Sequence, residues 1–391
     1  MQSSRVLKLK WVVVANFLNS TGASFLWPLT TVYMHDYLHE SLATAGVVLF
    51  FMSCAMIAGN YLGGWLFDHW DPYKTAVLGV SVATVAVIFL IFFHSWPIFA
   101  ILLMLVGFGD GVNVTVINAY AASIKGHKIR YIFNVLYMAL NLGVVVGTLL
   151  VGFLMSYGVT LVFSVTSVSY VVFWLVTVLT FNVTIPKRNR KLENIKEART
   201  KATRKTSTLV WLICMLVISA YLSYTLWESV MAVHLTNMHI PFYAYSLLWT
   251  MNGLIILVGQ PLVNKFEVYL KIDHQIEIGV AIFALSFFLL IFADSLLWFA
   301  IDFVILTIGE MMGLPSIPAW IDQLTNPNQA GKYQGLMNMS ISVGRAIGPL
   351  YGGMIIDGFG YPTLFLSVTV LMGLCLLAVM RNVWHVRKNR G

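Results

Sequence analysis

The sequence predicts an all-α membrane protein with twelve transmembrane helices in two pseudo-symmetric six-helix bundles. Three observations lead to this prediction. Of the 391 residues, 59% are hydrophobic and only 10% are charged, whereas a soluble protein carries about 25% charged residues. Twelve apolar runs approach the roughly 20 residues that a bilayer-spanning helix needs. Sequence features also recur at a constant offset, which is expected of a duplicated half.

The predicted spans follow one another through short connections. They lie near residues 11–35, 42–66, 74–93, 97–123, 131–156, 160–181, 208–234, 242–264, 274–293, 296–322, 333–356 and 361–380. The first run is too long, and with Asn16 and Asn19 too polar, for a cleaved signal peptide, so we interpret it as the first helix.

The only long polar stretch, residues 183–207, separates six spans from six. We therefore expect an N-terminal bundle over 1–182, a cytoplasmic linker over 183–207, and a C-terminal bundle with a short cytoplasmic tail over 208–391. The linker is rich in Lys and Arg, and such segments attract anionic lipid.

Basic residues are segregated along the chain. Every Lys and Arg except Arg345 falls on one side of the twelve-span arrangement. By the positive-inside rule that side is cytoplasmic, and it holds both termini. The net charge of +8 therefore reflects orientation in the cell membrane rather than nucleic-acid binding, and we expect membrane lipids as partners.

The repeat is clearest at Gly109-Asp110 and Gly309-Glu310, which are 200 residues apart. Leu26-Trp27 recurs at the same offset as Leu226-Trp227. In a membrane protein, a repeat of this kind predicts two bundles with a substrate site between them.

Four ionisable residues lie near the middle of predicted spans: Asp110, Glu228, Glu310 and Arg345. Such residues are costly in hydrocarbon and usually face a polar cavity or a partner. Because desolvation disfavours the charged form of a carboxyl group, a buried acid can exchange a proton near neutral pH. We expect the three acids to couple transport to protons, and we expect Arg345 to be a buried cation whose partner is Glu310 or Asp110. The alternative is a static polar cluster. Asp302 lies too near the predicted outer surface to be assigned a role.

The end of span 2 resembles the loop 2–3 signature of the major facilitator superfamily, G-x-x-x-D-R-x-G-R-R-K. Gly64, Asp68 and Lys74 match it. The residues that depart from it are His69, Asp71 and Pro72. The resemblance implies a gating role for this loop, with Asp68 acting on the N-terminus of span 11 near Lys332, where the helix dipole is positive.

The part of span 11 from Gly344 to Gly353 looks like the G-x-x-x-G-P-x-x-G-G pattern that drug:proton antiporters of this superfamily carry in span 5. Small residues at this spacing let helices approach closely. The positions assigned to helix packing are Gly143, Gly147, Gly344, Gly348, Pro349 and Gly352. The span 4 Arg of such antiporters is missing, which counts against a standard member of that group.

The region from Gly309 to Gly335 resembles span 10 and loop 10–11 of the lactococcal-type multidrug:proton antiporters. The resemblance places the group's span 10 acid at Glu310, its span 7 acid at Glu228 and its loop 2–3 acid at Asp68. The group's span 5 acid has no equivalent here, so the resemblance does not fix the number of protons.

Several polar, aromatic and Met side chains stand at heights suited to a central cavity. They are Trp27, Asn113, Asn118, Tyr137, Asn141, Tyr224, Trp227, Met311 and Met312. Aromatic faces attract cations and Met adapts to varied ligands, although packing inside the bundle is the alternative for each. The three cysteines are too scattered for a metal site, and we expect neither metal nor cofactor.

These features predict a transporter rather than an enzyme. We expect a monomer that exports lipophilic or cationic small molecules in exchange for protons by alternating access. The alternatives are proton-coupled uptake of a small polar or anionic solute, which Arg345 would suit, a lipid flippase, and a membrane sensor without transport activity.

Overall fold

The computed structural model describes residues 7–124, 129–183, 204–266, 270–325 and 330–388. Within these ranges the regular structure is entirely helical. The α-helices are α1 (Leu9–Val32), α2 (Leu42–His69), α3 (Pro72–Phe92), α4 (Ile98–Ser123), α5 (Ile129–Leu154), α6 (Val159–Thr180), α7 (Arg204–Glu228), α8 (Val230–Asn237), α9 (Phe242–Phe266), α10 (Ile272–Leu289), α11 (Leu296–Gly313), α12 (Ile317–Leu324), α13 (Ala330–Phe359) and α14 (Tyr361–Lys388).

Among the described residues, ten helical segments are long and apolar enough to cross a membrane. The helices α1 and α13, with 24 and 30 residues, are also long enough and correspond to predicted spans 1 and 11. Span 7 is divided between α7 and α8, and span 10 between α11 and α12. The predicted all-α class with twelve spans is confirmed.

Short polar caps start two of the N-terminal helices. The Ser41 hydroxyl accepts a hydrogen bond from the Thr44 backbone N–H at the start of α2. The Asp71 carboxylate accepts one from the Lys74 backbone N–H at the start of α3, where Pro72 is the first helical residue. These caps satisfy N–H groups that have no acceptor within the helix, so the turn between α2 and α3 is sharply defined.

The chain divides into two compact units. The first unit comprises Met1–Arg188 and Ser229–Gly253, and the second comprises Asn189–Glu228 and Leu254–Gly391. The segment Ser229–Gly253, which the sequence assigns to the C-terminal half, thus belongs to the first unit by its contacts, because α8 packs on α1. The predicted division into six spans on each side of a linker remains a prediction, since residues 184–203, which make up most of that linker, lie outside the described residues.

The duplication is visible as the same contact in each unit. A Cβ atom on Gly109 of α4 would lie 2.8 Å from the Gly79 carbonyl oxygen of α3. Two hundred residues later, a Cβ on Gly309 of α11 would lie 2.8 Å from the Gly279 carbonyl oxygen of α10. Each glycine lets two backbones touch directly beside an acidic residue. The repeat is therefore one of helix packing as well as of sequence.

A second glycine seam joins α2 to α4 in the first unit. Cβ atoms added at Gly59 and Gly111 would collide with the carbonyl oxygens of Phe108 and Met56, respectively. Because apolar side chains gain little by leaving lipid for protein, close backbone packing of this kind is a main source of helix association in membranes. This seam fixes the position of α4 and hence of Asp110.

Candidate functional site

The second unit contains a partly buried ion pair between α7 and α13. The Arg345 guanidinium Nη2 donates to both carboxylate oxygens of Glu228, at 2.8 Å and 3.0 Å. The side chains are 31% and 16% exposed, respectively. A charge-assisted contact to both oxygens of one acid is stronger than a neutral hydrogen bond. Glu228 and Arg345 are thus held together although they are 117 residues apart.

Close packing of α13 on α7 makes this pair possible. Cβ atoms on Gly344 and Gly348 would meet the carbonyl oxygens of Ile218 and Leu222, respectively. The matching contact in the first unit is between α5 and α1, where Gly143 lies against the Phe17 carbonyl. The glycines that flank Arg345 therefore bring its side chain to the C-terminal end of α7, where Glu228 lies.

The structure corrects the predicted partner of Arg345. We expected Glu310 or Asp110, whereas the ion pair is with Glu228. Glu310 lies within electrostatic range of Tyr224, as do Glu228 and Arg345. The second unit thus groups two carboxylates, one guanidinium and a tyrosine, which we call the Glu228 cluster.

Each acid of the Glu228 cluster lies next to an interruption of a helix. The helix α7 ends at Glu228, and α8 begins at Val230. The helix α11 ends at Gly313, three residues after Glu310, and a 3-10 turn over Leu314–Ser316 precedes α12. Discontinuous spans of this kind frequently form ion and substrate sites in transporters.

Pro315 accounts for the interruption in span 10. Proline has no N–H, so it cannot donate to the carbonyl four residues earlier, that of Met311. The Gln260 side-chain amide donates to the Met311 carbonyl at 3.5 Å. The Gln275 amide donates to the Met312 carbonyl at 3.1 Å and to the Ser316 hydroxyl at 2.9 Å. Gln260 thus supplies a donor to the carbonyl that Pro315 deprives of its helical N–H, as a membrane environment requires, and Gln275 supplies one to the next carbonyl.

The first unit holds Asp110 in a different environment. Asp110 is 4% exposed, and the Tyr170 hydroxyl of α6 lies 2.9 Å and 3.0 Å from its two carboxylate oxygens. Asn113, one turn further along α4, contacts Asn19 of α1 at 3.4 Å. Tyr170 reaches Asp110 across Gly22 of α1, where a Cβ would collide with the tyrosine ring. Gly22 therefore makes room for the side chain that hydrogen-bonds to the acid.

The predicted gating residues lie at the end of α2 and the start of α3. Asp68 is exposed, and Gly64 is only in ordinary contact range of Thr115. The Lys74 ammonium lies 5.7 Å from the centre of the Trp70 ring. The side chain of Lys332, near the expected target of Asp68, lies outside the described residues, so the gating role remains a prediction.

The predicted cavity residues differ in how deeply they are buried. Trp227 and Met311 are buried in the second unit, where Trp227 stacks on Phe303 with ring centres 4.2 Å apart and Met311 packs against Gly259. The remaining candidates range from buried Asn113, through half-buried Trp27, Asn141, Tyr224 and Met312, to exposed Asn118 and Tyr137. Their contact with a substrate remains a prediction.

Sequence reasoning did not identify Tyr170, Gln260 and Gln275 as site residues. The glutamines are polar residues within or at the end of apolar runs, and that signal could have flagged them. Tyr170 has no such signal, because a tyrosine among apolar residues is typical of ordinary core packing.

Acidic residues at discontinuous helices in a multi-span helical protein are the features expected of a membrane transporter, and comparison with known proteins identifies the family. The family model described as Major Facilitator Superfamily matches residues 12–271 and 276–390. The chain therefore belongs to the Major Facilitator Superfamily.

Two relatives from Bacillus subtilis (strain 168) cover nearly the whole chain. The uncharacterized MFS-type transporter YttB is 38% identical over 373 residues, which cover 93% of this chain and 92% of YttB. Multidrug resistance protein 1 is 21% identical over 376 residues, which cover 95% of each chain. These relatives establish the protein as a transporter of this superfamily.

Solved structures confirm the fold. A POT family transporter in complex with a thioalcohol conjugated peptide superposes with a TM-score of 0.82 at 12% identity, covering 97% of this chain and 96% of that one. The nucleoside transporter NupG gives a TM-score of 0.80 at 13% identity, covering 96% and 100%. At such low identity, the similarity concerns the fold alone.

Proposed function

We propose that this protein is a proton-coupled antiporter that exports lipophilic or cationic compounds by alternating access. The composition of the Glu228 cluster carries the proposal. The cluster contains two carboxylates and one guanidinium, so its formal charge is negative when both acids are ionised. Because Arg345 is bound to Glu228, its positive charge is compensated within the protein. A site of this charge attracts protons and organic cations in a poorly screened environment.

Competition for the same carboxylates would couple the two fluxes. A proton on Glu228 or Glu310 removes the negative charge that attracts a cation, and a bound cation opposes protonation. Such mutual exclusion is reciprocal by linkage, and it favours exchange of substrate for protons. Protonation of Glu228 would also weaken its contact with Arg345 and hence the contact between α7 and α13, next to the interruption of span 7.

Residues outside the cluster have supporting roles in this proposal. Asp110 would be a proton-coupling acid in the first unit, with its charge stabilised by Tyr170. The loop with Gly64, Asp68 and Lys74 would bias the balance between inward-open and outward-open states. We further propose a monomer in the cell membrane with both termini in the cytoplasm, in contact with anionic lipids.

The relatives agree with export without establishing it. Multidrug resistance protein 1, whose name refers to resistance to many drugs, aligns over 95% of this chain. The fold is also that of POT family transporters, one of which is in complex with a conjugated peptide. Uptake of an anionic solute is the second candidate, because a substrate carboxylate could replace Glu228 on Arg345.

The test is transport by the purified protein in proteoliposomes with imposed pH gradients. The substrate panel should contain lipophilic cations, neutral lipophilic compounds, short peptides, organic anions and fluorescent lipids. We expect cations to accumulate, against their own gradient, in the more acidic compartment, while protons flow out of that compartment. Cotransport of anions or peptides with protons would support the second candidate, and lipid movement alone would support a flippase.

A further inference from the structure

A second acidic residue of α11 lies outside the Glu228 cluster. Asp302 is 2% exposed, and neither of its carboxylate oxygens has a hydrogen-bond partner among the described residues. By contrast, Glu228 is bound by Arg345 and Asp110 by Tyr170. Asp302 therefore differs from Glu228 and Asp110 in having no hydrogen-bond partner among the described residues.

The position of Asp302 on α11 explains its burial. Phe299, Asp302, Phe303 and Leu306 are all buried and recur at the spacing of one helix face. The face that carries the acid is thus turned into the protein rather than toward lipid. The Trp227 ring of α7 stacks on Phe303, which closes one side of this apolar environment.

The elements packed on α11 offer few groups that could compensate a charge on Asp302. The last part of α10 and the 3-10 turn that follows it, residues Phe283–Phe292, contain no ionisable residue, and neither does the 3-10 turn over Leu314–Ser316. The part of α9 from Leu254 to Val263, which packs on α11 at Met311, contains none either. The helix α7 contributes Tyr224 and Glu228, of which the second is a like charge bound to Arg345. On α11 itself the other acid is Glu310.

Hydroxyl groups of α10 and α11 are engaged within their own helices. Thr307 donates to the Phe303 carbonyl, and Ser286 of α10 donates to the Phe283 carbonyl. A metal ion would need several oxygen ligands, and the described residues contain no group of three His, Cys, Asp or Glu side chains suited to one. A proton needs only the carboxyl group itself.

An ionised carboxylate without partners in such a site would cost far more than a neutral acid. We propose that Asp302 is a proton-binding site that holds its proton in the described conformation and exchanges it with the outer solution during the transport cycle. The reaction is the dissociation of one carboxylic acid into a carboxylate and a proton taken up by water. Asp302 lies about 9 Å into α11 from Leu296 and about 12 Å before Glu310, at 1.5 Å per residue. Asp302 thus lies between the outer end of span 10 and the Glu228 cluster, where a proton passing between the two could bind. This role rests on the proposed proton coupling, whereas the protonated state does not.

Two measurements on the full-length protein in lipid test the proposal. The first is the infrared C=O band of protonated carboxylic acids, compared between wild type and Asp302→Asn at neutral pH. We expect the variant to lose such a band, and we expect Asp302→Glu to retain one. The matched control is Asp294→Asn, which removes an exposed acid just before α11 and should leave the band unchanged. A difference spectrum that shows only carboxylate bands would overturn the proposal.

The second measurement is pH-gradient-driven transport in proteoliposomes. Asp302→Asn should lose stimulation by the gradient and keep downhill substrate exchange, whereas Asp294→Asn should behave as wild type. Gradient-driven transport at the wild-type rate in Asp302→Asn would overturn the role of Asp302 in the cycle. If wild type itself showed no proton coupling with any substrate, the proposed function would fail, and the infrared band would still decide whether Asp302 binds a proton.

Discussion

The Glu228–Arg345 pair allows a quantitative prediction by a double-mutant cycle. Removal of either partner leaves the other charge half-buried and uncompensated, whereas removal of both leaves no charge. We therefore expect Glu228→Gln and Arg345→Gln each to destabilise the protein, and we expect the double variant to cost less than the sum of the two. This non-additivity measures the coupling between the residues in contact.

The structure sets the size of the coupling. Contacts of 2.8 Å and 3.0 Å put the charge centres at about 4 Å, where the Coulomb energy is about 4 kcal/mol at an effective dielectric constant of about 20. Exposure of 31% and 16% of the two side chains allows screening, which lowers the expected coupling to about 2–3 kcal/mol.

The assay is equilibrium unfolding in mixed micelles of the wild type, the two single variants and the double variant. The matched control is the His274–Glu277 pair on α10, whose atoms are 3.0 Å apart and whose side chains are 47% and 11% exposed, respectively. Pairs within one surface helix couple by about 0.3–0.5 kcal/mol. Additive effects at Glu228 and Arg345, or a coupling no larger than in the control, would refute the reasoning.

Three further predictions test other parts of the structure. Gly111→Ala should cost about 1–3 kcal/mol of unfolding free energy because its Cβ would collide with a carbonyl of α2, whereas Gly373→Ala, with open space around it, should be neutral or slightly stabilising; equal effects in the same unfolding assay would contradict the glycine seam. Tyr170→Phe should cost about 1.5–3 kcal/mol at alkaline pH, where Asp110 is ionised, and only about 0.5–1.5 kcal/mol at acidic pH, because a hydrogen bond to a charged acid is stronger than one to a neutral group. Tyr120→Phe, which removes a hydrogen bond to a backbone carbonyl, should show no such pH dependence, and identical pH profiles would argue against an ionised acid beside Tyr170. Asp68→Asn should shift spin-label distances between the inward-open and outward-open distributions without abolishing substrate binding; unchanged distributions at every pH would exclude a gating role.

The sequence predicted the architecture well because its signals are local and repeated. Apolar runs define the spans, and the recurrence of Gly109 as Gly309 reflects the same close contact with the preceding helix in both units. Span 10 was predicted as one helix, yet Pro315 divides it. Proline indicates an interruption, but the sequence does not tell whether neighbouring side chains will satisfy the broken hydrogen bonds, as Gln260 and Gln275 do here.

The site was predicted only in part because partners depend on which helices touch. Depth within the predicted spans indicates the acids, but it does not indicate which of them is the partner of Arg345. The actual partner follows from packing of α13 on α7, which Gly344 and Gly348 permit. The sequence shows the glycine pattern but not the helix that it faces. The height of Asp302 in span 10 does not indicate a role, whereas its burial depends on the face of α11 that it occupies.

The most direct test of proton-coupled export is transport by Glu310→Gln in proteoliposomes that report substrate movement and internal pH together. The substitution keeps the shape of the side chain and removes its titratable proton. We predict that the variant loses uphill, pH-driven transport and substrate-induced proton flux, while it retains downhill exchange of the same substrate. Uphill transport with proton flux at the wild-type level would contradict the role of Glu310 and with it the proposed coupling mechanism.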